Sequence, residues 1–147
     1  MLDLITNRTQ ENVDMLRTLQ AKGWNNFTES EKTIWTTKAA KGAYNHTDLN
    51  RVETAVAKSA EIIGLELIVK TDWTFWDLPT PAEMKRYLGN IVAIRNACPY
   101  SAEYPTLPSN MEGLTYEAAN NIERTLIIAW KIAESSPRSG EIYSGEV

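Results

Sequence analysis

Few side chains in this sequence are equipped for chemistry. There is one cysteine, Cys98, and one histidine, His46. Brought together, a thiol and an imidazole make a nucleophile and its base. Cys98 falls on an apolar helical stripe, however, where a cysteine reads as a small core residue. A lone cysteine excludes an internal disulfide, and with a lone histidine it excludes a His/Cys-rich metal site. Two carboxylate pairs, Glu29/Glu31 and Asp72/Asp77, have the residue types of a glycoside hydrolase's general acid and base. Glu29 and Glu31 already serve a helix start, and no spacing rule sets the separation of Asp72 and Asp77. There is no Gly-x-Ser-x-Gly elbow, glycine-rich phosphate loop or His-Glu-x-x-His, the motifs that carry acyl transfer, nucleotide binding and zinc hydrolysis. The expectation is a non-enzymatic chain with no catalytic residue, no metal and no cofactor.

Aromatic and polar clusters say more. Trp73, Phe75 and Trp76 crowd into Lys70-Thr71-Asp72-Trp73-Thr74-Phe75-Trp76-Asp77. A loop tryptophan stacks on sugar rings or anchors a protein partner; it also closes the end of a bundle as core, since indoles mostly bury. Trp24 with Phe27, Trp35 and Trp130, at helix ends or on stripes, read as core. The run from Gly42 to Glu53 is dense in hydrogen-bonding side chains. It is either a polar interface patch or a well-specified turn. In the second reading Asn45 or Thr47 caps a helix, Asp48 sits at its dipole and Arg51 bridges to a carboxylate. The candidate partner or ligand contacts are therefore Tyr44, Asn45, Asp48, Asn50, Arg51, Trp73 and Trp76.

Helices must position these residues. Asn-x-Thr triplets begin at Asn7, Asn26 and Asn45, 19 residues apart. Each threonine can accept a free backbone N–H at a helix start, and Thr28-Glu29-Ser30-Glu31 is a full capping box. Helices are expected near 10–21, 29–41 and 48–63, with Gly23, Gly42 and Gly64 as C-terminal stops. The third carries the stripe Leu49, Val52, Val56, Ala60 and Ile63. A fourth starts at Thr80-Pro81-Ala82-Glu83, buries Met84, Tyr87/Leu88, Ile91, Ile94/Arg95 and Cys98, and cannot pass Pro99. The fifth, 115–135, faces inward through Ala119, Ile122, Leu126, Trp130 and Ala133, and Ile127, Ile128 and Ile132 widen that face. The branched run Leu65–Val69 predicts a strand ending near 70–73, open to pairing with the C-terminal segment. The fold class expected is mainly α: one domain over 1–147, a compact bundle of about five helices with a minor β element near 65–73 and a short tail from about 136.

Composition bounds the partners. Of the 147 residues, 43% are hydrophobic and 23% charged, a globular balance that needs no disulfide or metal to fold. Basic and acidic residues number six and six in 1–50, six and six in 51–100, and three and seven in 101–147, so the net charge of −4 sits in the last third. No basic run suits phosphate neutralisation, which argues against nucleic acid as a partner. The start Met-Leu-Asp-Leu-Ile-Thr lacks the basic and apolar regions of a secretory signal, and no apolar run approaches a membrane span. Synthesis and first folding are expected in a cytoplasm, with no membrane partner.

Several strings look familiar. They are Asn7-Arg8-Thr9-Gln10-x-x-Val13-Asp14, Lys41-Gly42-Ala43-Tyr44-Asn45-x-x-Asp48-Leu49-Asn50-Arg51-Val52-Glu53 and Lys70-Thr71-Asp72-Trp73. They continue through Pro79-Thr80-Pro81, Leu107-Pro108, Leu114-Thr115-Tyr116, Ile122-Glu123 and the terminal Ser139–Glu146. Over nearly its whole length the chain resembles small proteins encoded among tail and other structural genes of phages and prophages of Gram-positive, especially clostridial, bacteria. The resemblance implies a virion structural or tail-associated protein, residing in the virion. Its partners would be other tail proteins and, by self-association, further copies of itself. It carries over no catalytic residues. The alternative is a carbohydrate-binding module reading host surface glycan through Trp73, Trp76 and Tyr87.

Overall fold

The computed structural model describes residues 2–36 and 41–135. Its helices are α1 (Gln10–Lys22), α2 (Glu29–Thr36), α3 (His46–Ile63), α4 (Pro81–Ala97) and α5 (Tyr116–Ser135), with a 3-10 turn at Trp24–Asn26. The chain is mainly α. The expected tail from about 136 lies outside the described residues.

Local chemistry sets the helix starts. Thr9 and Asn12, Thr28 and Glu31, and Thr80 and Glu83 each form a reciprocal cap, side chain to backbone in both directions. The third helix begins two residues earlier than its threonine suggests. Asn45, not Thr47, is the cap: its Oδ1 accepts the Thr47 N–H at 2.9 Å while Asp48 Oδ2 accepts the Asn45 N–H at 2.9 Å. An acid three residues on completes the box for Asn45, and Thr47 has no such partner. Gly64 ends α3 in the left-handed region, its N–H donating to Ala60 O at 2.8 Å. The end of the helix expected over 29–41, ahead of Gly42, falls on 37–40 and lies outside the described residues, but Gly42 has a second reason to be glycine. A β-carbon there would stand 2.3 Å from the Asn12 carbonyl oxygen, so glycine is needed because the loop presses on the first turn of α1.

The core lies among α3, α4 and α5. Val52, Val56, Tyr87, Ile91, Ile94, Ile122 and Leu126 are fully buried between them, and Leu49, Leu88, Ala129 and Cys98 complete the cluster. The chain leaving α3 turns back along it. Glu53 accepts the Lys70 N–H and Asn50 the Trp73 N–H, so partners on α3 step backward as the segment advances. α4 therefore begins beside the start of α3 and, packed along it, runs the same way; Tyr44, just before α3, meets Tyr87 early in α4. Glu123, early in α5, meets Arg51, early in α3. The connections over 64–80 and 98–115 carry no helix and lie along these core helices.

One of those connections corrects the expected β element. No strand occurs among the described residues. Residues 65–73 are extended, with Leu65, Leu67 and Val69 turned to the core and Glu66 and Ile68 outward. The alternation is that of a strand, but the backbone partners are helix side chains. The Ile68 carbonyl accepts from Asn90 Nδ2 (2.7 Å) and Arg86 Nη1 (2.8 Å), the Lys70 N–H donates to Glu53, and Trp73 is bonded through both N and O to Asn50. With its polar backbone groups met this way, the segment has no need of a ladder. Pairing with the C-terminal segment falls outside the described residues.

α1 and α2 form an arm with its own small aromatic cluster. Phe27 is buried between Trp24 and Trp35, with ring centroids 5.5 and 5.6 Å away. Trp24 and Trp35 keep exposed faces and Trp130 is half-buried, so these three indoles are not the fully enclosed core expected. Among the described residues the two-helix arm has no second layer to cover Trp24 and Trp35.

Candidate functional site

Two buried lattices of charged and amide side chains organise the surface of this protein. The first centres on Glu123, which is 0% exposed. Its carboxylate accepts from Arg51 Nε and Nη2 at 2.8 Å each, from Arg8 Nη2 at 2.5 Å and from the Ile5 N–H at 2.9 Å. Asp48 completes the square, accepting from Arg51 Nη2 at 2.5 Å and Arg8 Nη2 at 3.1 Å. Asn120 bonds the Arg8 backbone in both directions. Two guanidiniums face two carboxylates, so the lattice is neutral as a whole. Burial alone would lower the Arg51 pKa, but its bonds to Glu123 and Asp48 outweigh that and raise it. Arg8 also lies over the Tyr44 ring, 5.5 Å from its centroid. The Tyr44 and Tyr87 hydroxyls share a hydrogen bond, and burial pushes both phenols above their usual range.

The second lattice centres on Glu53. Arg86 binds it through Nη1 (2.6 Å) and Nη2 (3.0 Å), and the Trp73 indole N–H donates to it at 2.6 Å. Charge pairing with Glu53 raises the Arg86 pKa. Trp73 is thus a buried anchor, 4% exposed, with Lys70 Nζ 5.0 Å from its ring centroid. Beyond Trp73 the chain makes a tight turn. Asp77 Oδ2 accepts the Thr74 N–H at 2.7 Å, and the Asp77 N–H donates to Thr74 O at 3.1 Å. That turn thrusts out Phe75, Trp76 and Leu78, which are 71%, 85% and 88% exposed. Phe75 and Trp76 stack edge to face at 5.0 Å, and the His46 ring stands 6.2 Å from Phe75. An exposed apolar knob results. Beside it opens a groove of about 1280 Å³, walled by Met84, Leu88 and Val92 of α4 and by Leu107, Met111 and Leu114 of the returning loop.

The sequence candidates therefore divide. Asp48 and Arg51 meet in the first lattice and Tyr44 stands against it; they are interior groups, and Arg51 bridges to carboxylates as the capped-turn reading expects. Asn45 is the exposed helix cap and Asn50 the clamp on Trp73. Trp76 alone of the seven is a projecting apolar side chain. Trp73 and Tyr87 are corrected from ligand-stacking candidates to buried ones, because the Glu53 carboxylate and the Tyr44 hydroxyl draw their polar ends inward. Asp72 and Asp77 do not pair with each other. Asp72 bonds Lys70 at 2.9 Å, which holds its pKa low, and Asp77 closes the turn. Glu31, held low by Lys22, caps α2. Cys98 ends α4 in the core, where burial raises its thiol pKa, whereas the His46 ring stands against Phe75. Among the described residues no group of three His, Cys, Asp or Glu is placed to hold a metal, and no helix is long and apolar enough to cross a membrane.

No protein-family model, curated protein or solved structure matches this chain. The lattices and the knob are therefore read on their own geometry.

The residues that sequence reasoning missed are Glu53, Arg86, Asn90, Asn120, Glu123 and Arg8. One signal was present. Glu53 and Glu123 each adjoin a stripe residue and lie three before the next, inside the apolar arc where a solvated acid does not belong. Arg8 lies in a connection with no periodicity to place it.

Proposed function

We propose that this chain is a non-catalytic structural protein that works by packing against other proteins, as a tail-associated component of a phage or prophage particle. The observation that carries the packing is the exposed Phe75–Trp76–Leu78 knob, whose base at Trp73 is bonded to Asn50 and Glu53. Aromatic side chains offer a large apolar area with few rotatable bonds, which suits them to anchor an interface. The acids with most hydrogen bonds, Glu53, Asp48 and Glu123, are occupied by arginines and backbone N–H groups, the role of framework rather than of general acid or base. The tail assignment is supported by the resemblance carried in the Lys41–Glu53 and Lys70–Trp73 strings. Its test is a mass-spectrometric inventory of purified particles whose genome encodes the chain. A stoichiometric copy number is expected, and absence from the particle defeats the assignment.

The 85% exposure of Trp76 beside Phe75 also favours a second reading, stacking on host surface glycan. Titrating host wall polysaccharide against tryptophan emission separates the two. Saturable quenching that vanishes in Trp76→Ala supports glycan; a flat response supports packing.

A further inference from the structure

We propose that the knob seats in the α4 groove of a second copy, and reciprocally, so that the chain pairs about a two-fold axis. This rests on the packing reading and names its first partner. Knob and groove are one continuous surface: Leu78 ends the knob, and Pro79 and Pro81 already line the groove. A surface that holds both a projection and its complement closes on itself under a two-fold, each copy giving and receiving once. The groove is open along one side and, at about 1280 Å³, exceeds the ~300–1,000 Å³ of small-molecule sites. It has room for several side chains of a protein.

Area supports the same occupant. At 71% and 85% exposure, and with aromatic side chains presenting about 150–250 Å² each, Phe75 and Trp76 with Leu78 offer roughly 400 Å² per copy. Two knobs and the two grooves that would cover them bury about 1,400 Å² in all, within the size range of specific interfaces. Charge agrees in sign. Asp72 and Asp77 flank the knob against Lys70, whereas Lys85 and Arg95 line the groove against Glu112. One surplus negative charge meets one surplus positive charge, which orients the encounter.

Gly89 supplies a clean test, because it lines the groove and a β-carbon there meets nothing within 4 Å. Gly89→Arg therefore fills the groove without disturbing the fold, and Trp76→Ala trims an exposed side chain; melting curves confirm that both variants fold. Sedimentation of the full chain up to about 200 µM is expected to show a dimer of micromolar Kd, weakened at least tenfold in either variant. Mixing the variants restores one of the two seats, so a heterodimer of intermediate affinity is expected. A wild-type monomer throughout, a Gly89→Arg dimer as tight as wild type, or a mixture with no heterodimer overturns the pairing. A monomer that is nonetheless found in the particle defeats the pairing alone; a dimer absent from the particle defeats only the tail assignment.

Discussion

Glu123→Gln tests whether the buried lattice is the framework of this fold. Glutamine keeps the shape of glutamate but presents an NH2 where Glu123 now receives donors on both oxygens, from Arg51, Arg8 and the Ile5 N–H. At least one oxygen position becomes donor against guanidinium donor, and two buried arginines are left with Asp48 as their one carboxylate. Breaking a buried ion pair by removing one partner costs about 3–5 kcal/mol. Against a total stability of about 5–15 kcal/mol that is a large fraction, and in a domain of this size it lowers Tm by roughly 10 °C. Urea unfolding followed by far-ultraviolet circular dichroism measures it, with exposed Glu117→Gln as the control expected to change little. The loss should be uneven: amide exchange at Ile5 and Arg8, whose N–H groups depend on Glu123 and Asn120, should rise more than exchange in the middle of α4. A loss below about 1 kcal/mol with those two amides still protected would refute the reasoning, because it is what an exposed pair gives.

Other outcomes follow from the same structure. Trp73→Phe removes the indole N–H that meets Glu53 at 2.6 Å and should cost about 1–3 kcal/mol in urea unfolding, with faster proteolysis in 70–78; an unchanged midpoint counts against the anchor. Gly42→Ala drives a methyl group onto the Asn12 carbonyl, so limited proteolysis should cut the α1–α2 arm sooner while the core helices persist; unchanged cutting counts against the close approach. Alkaline pH should destabilise the fold. Tyr44 and Tyr87 keep their protons in the folded state above the ordinary phenol value of 10.0, so the stability they contribute is complete below that pH. It drains away as pH rises toward their folded values, because the unfolded chain then ionises first. Urea midpoints should hold up to about pH 9 and fall as pH rises above about 10, and the Tyr44 and Tyr87 phenolates should appear only with unfolding; full titration of every tyrosine near 10 in the folded chain would be contrary.

What was legible in the sequence was short-range. Thr9, Thr28 and Thr80 announce their helices because a cap and its partner lie three residues apart. The stripes Leu49–Ala60 and Ala119–Leu126 are likewise periodic along one element and bury as read. Asn45 overtook Thr47 through Asp48, a competition between neighbours that turns on one acid. The run 65–73 is extended, as its branched residues and alternation say, but what an extended chain bonds to is not written in the chain itself. Asn50, Glu53, Arg86 and Asn90 come from two helices, and their polar character reads locally as a solvated face. The aromatic run divides for the same reason. Trp73 has a carboxylate waiting in the interior, and Phe75 and Trp76 have a turn that points them outward.

The lattices then explain how the segments between these helices are held without a sheet. Each return of the chain leaves a length of extended backbone whose N–H and C=O groups need partners. In a sheet a neighbouring strand supplies them; here polar side chains of the helices do. Asn120, Glu123 and Arg124 take up the segment before α1, Asn50, Glu53, Arg86 and Asn90 the segment after α3, and Asn121 the one after α4. A polar side chain placed this way fixes register as well as satisfying a bond, since it meets one backbone group and not the next. The second segment is the one that ends in the knob. Glu53 and Asn50 lie beneath the surface, yet they decide where Trp76 stands, and a change at either should move an interface that neither touches.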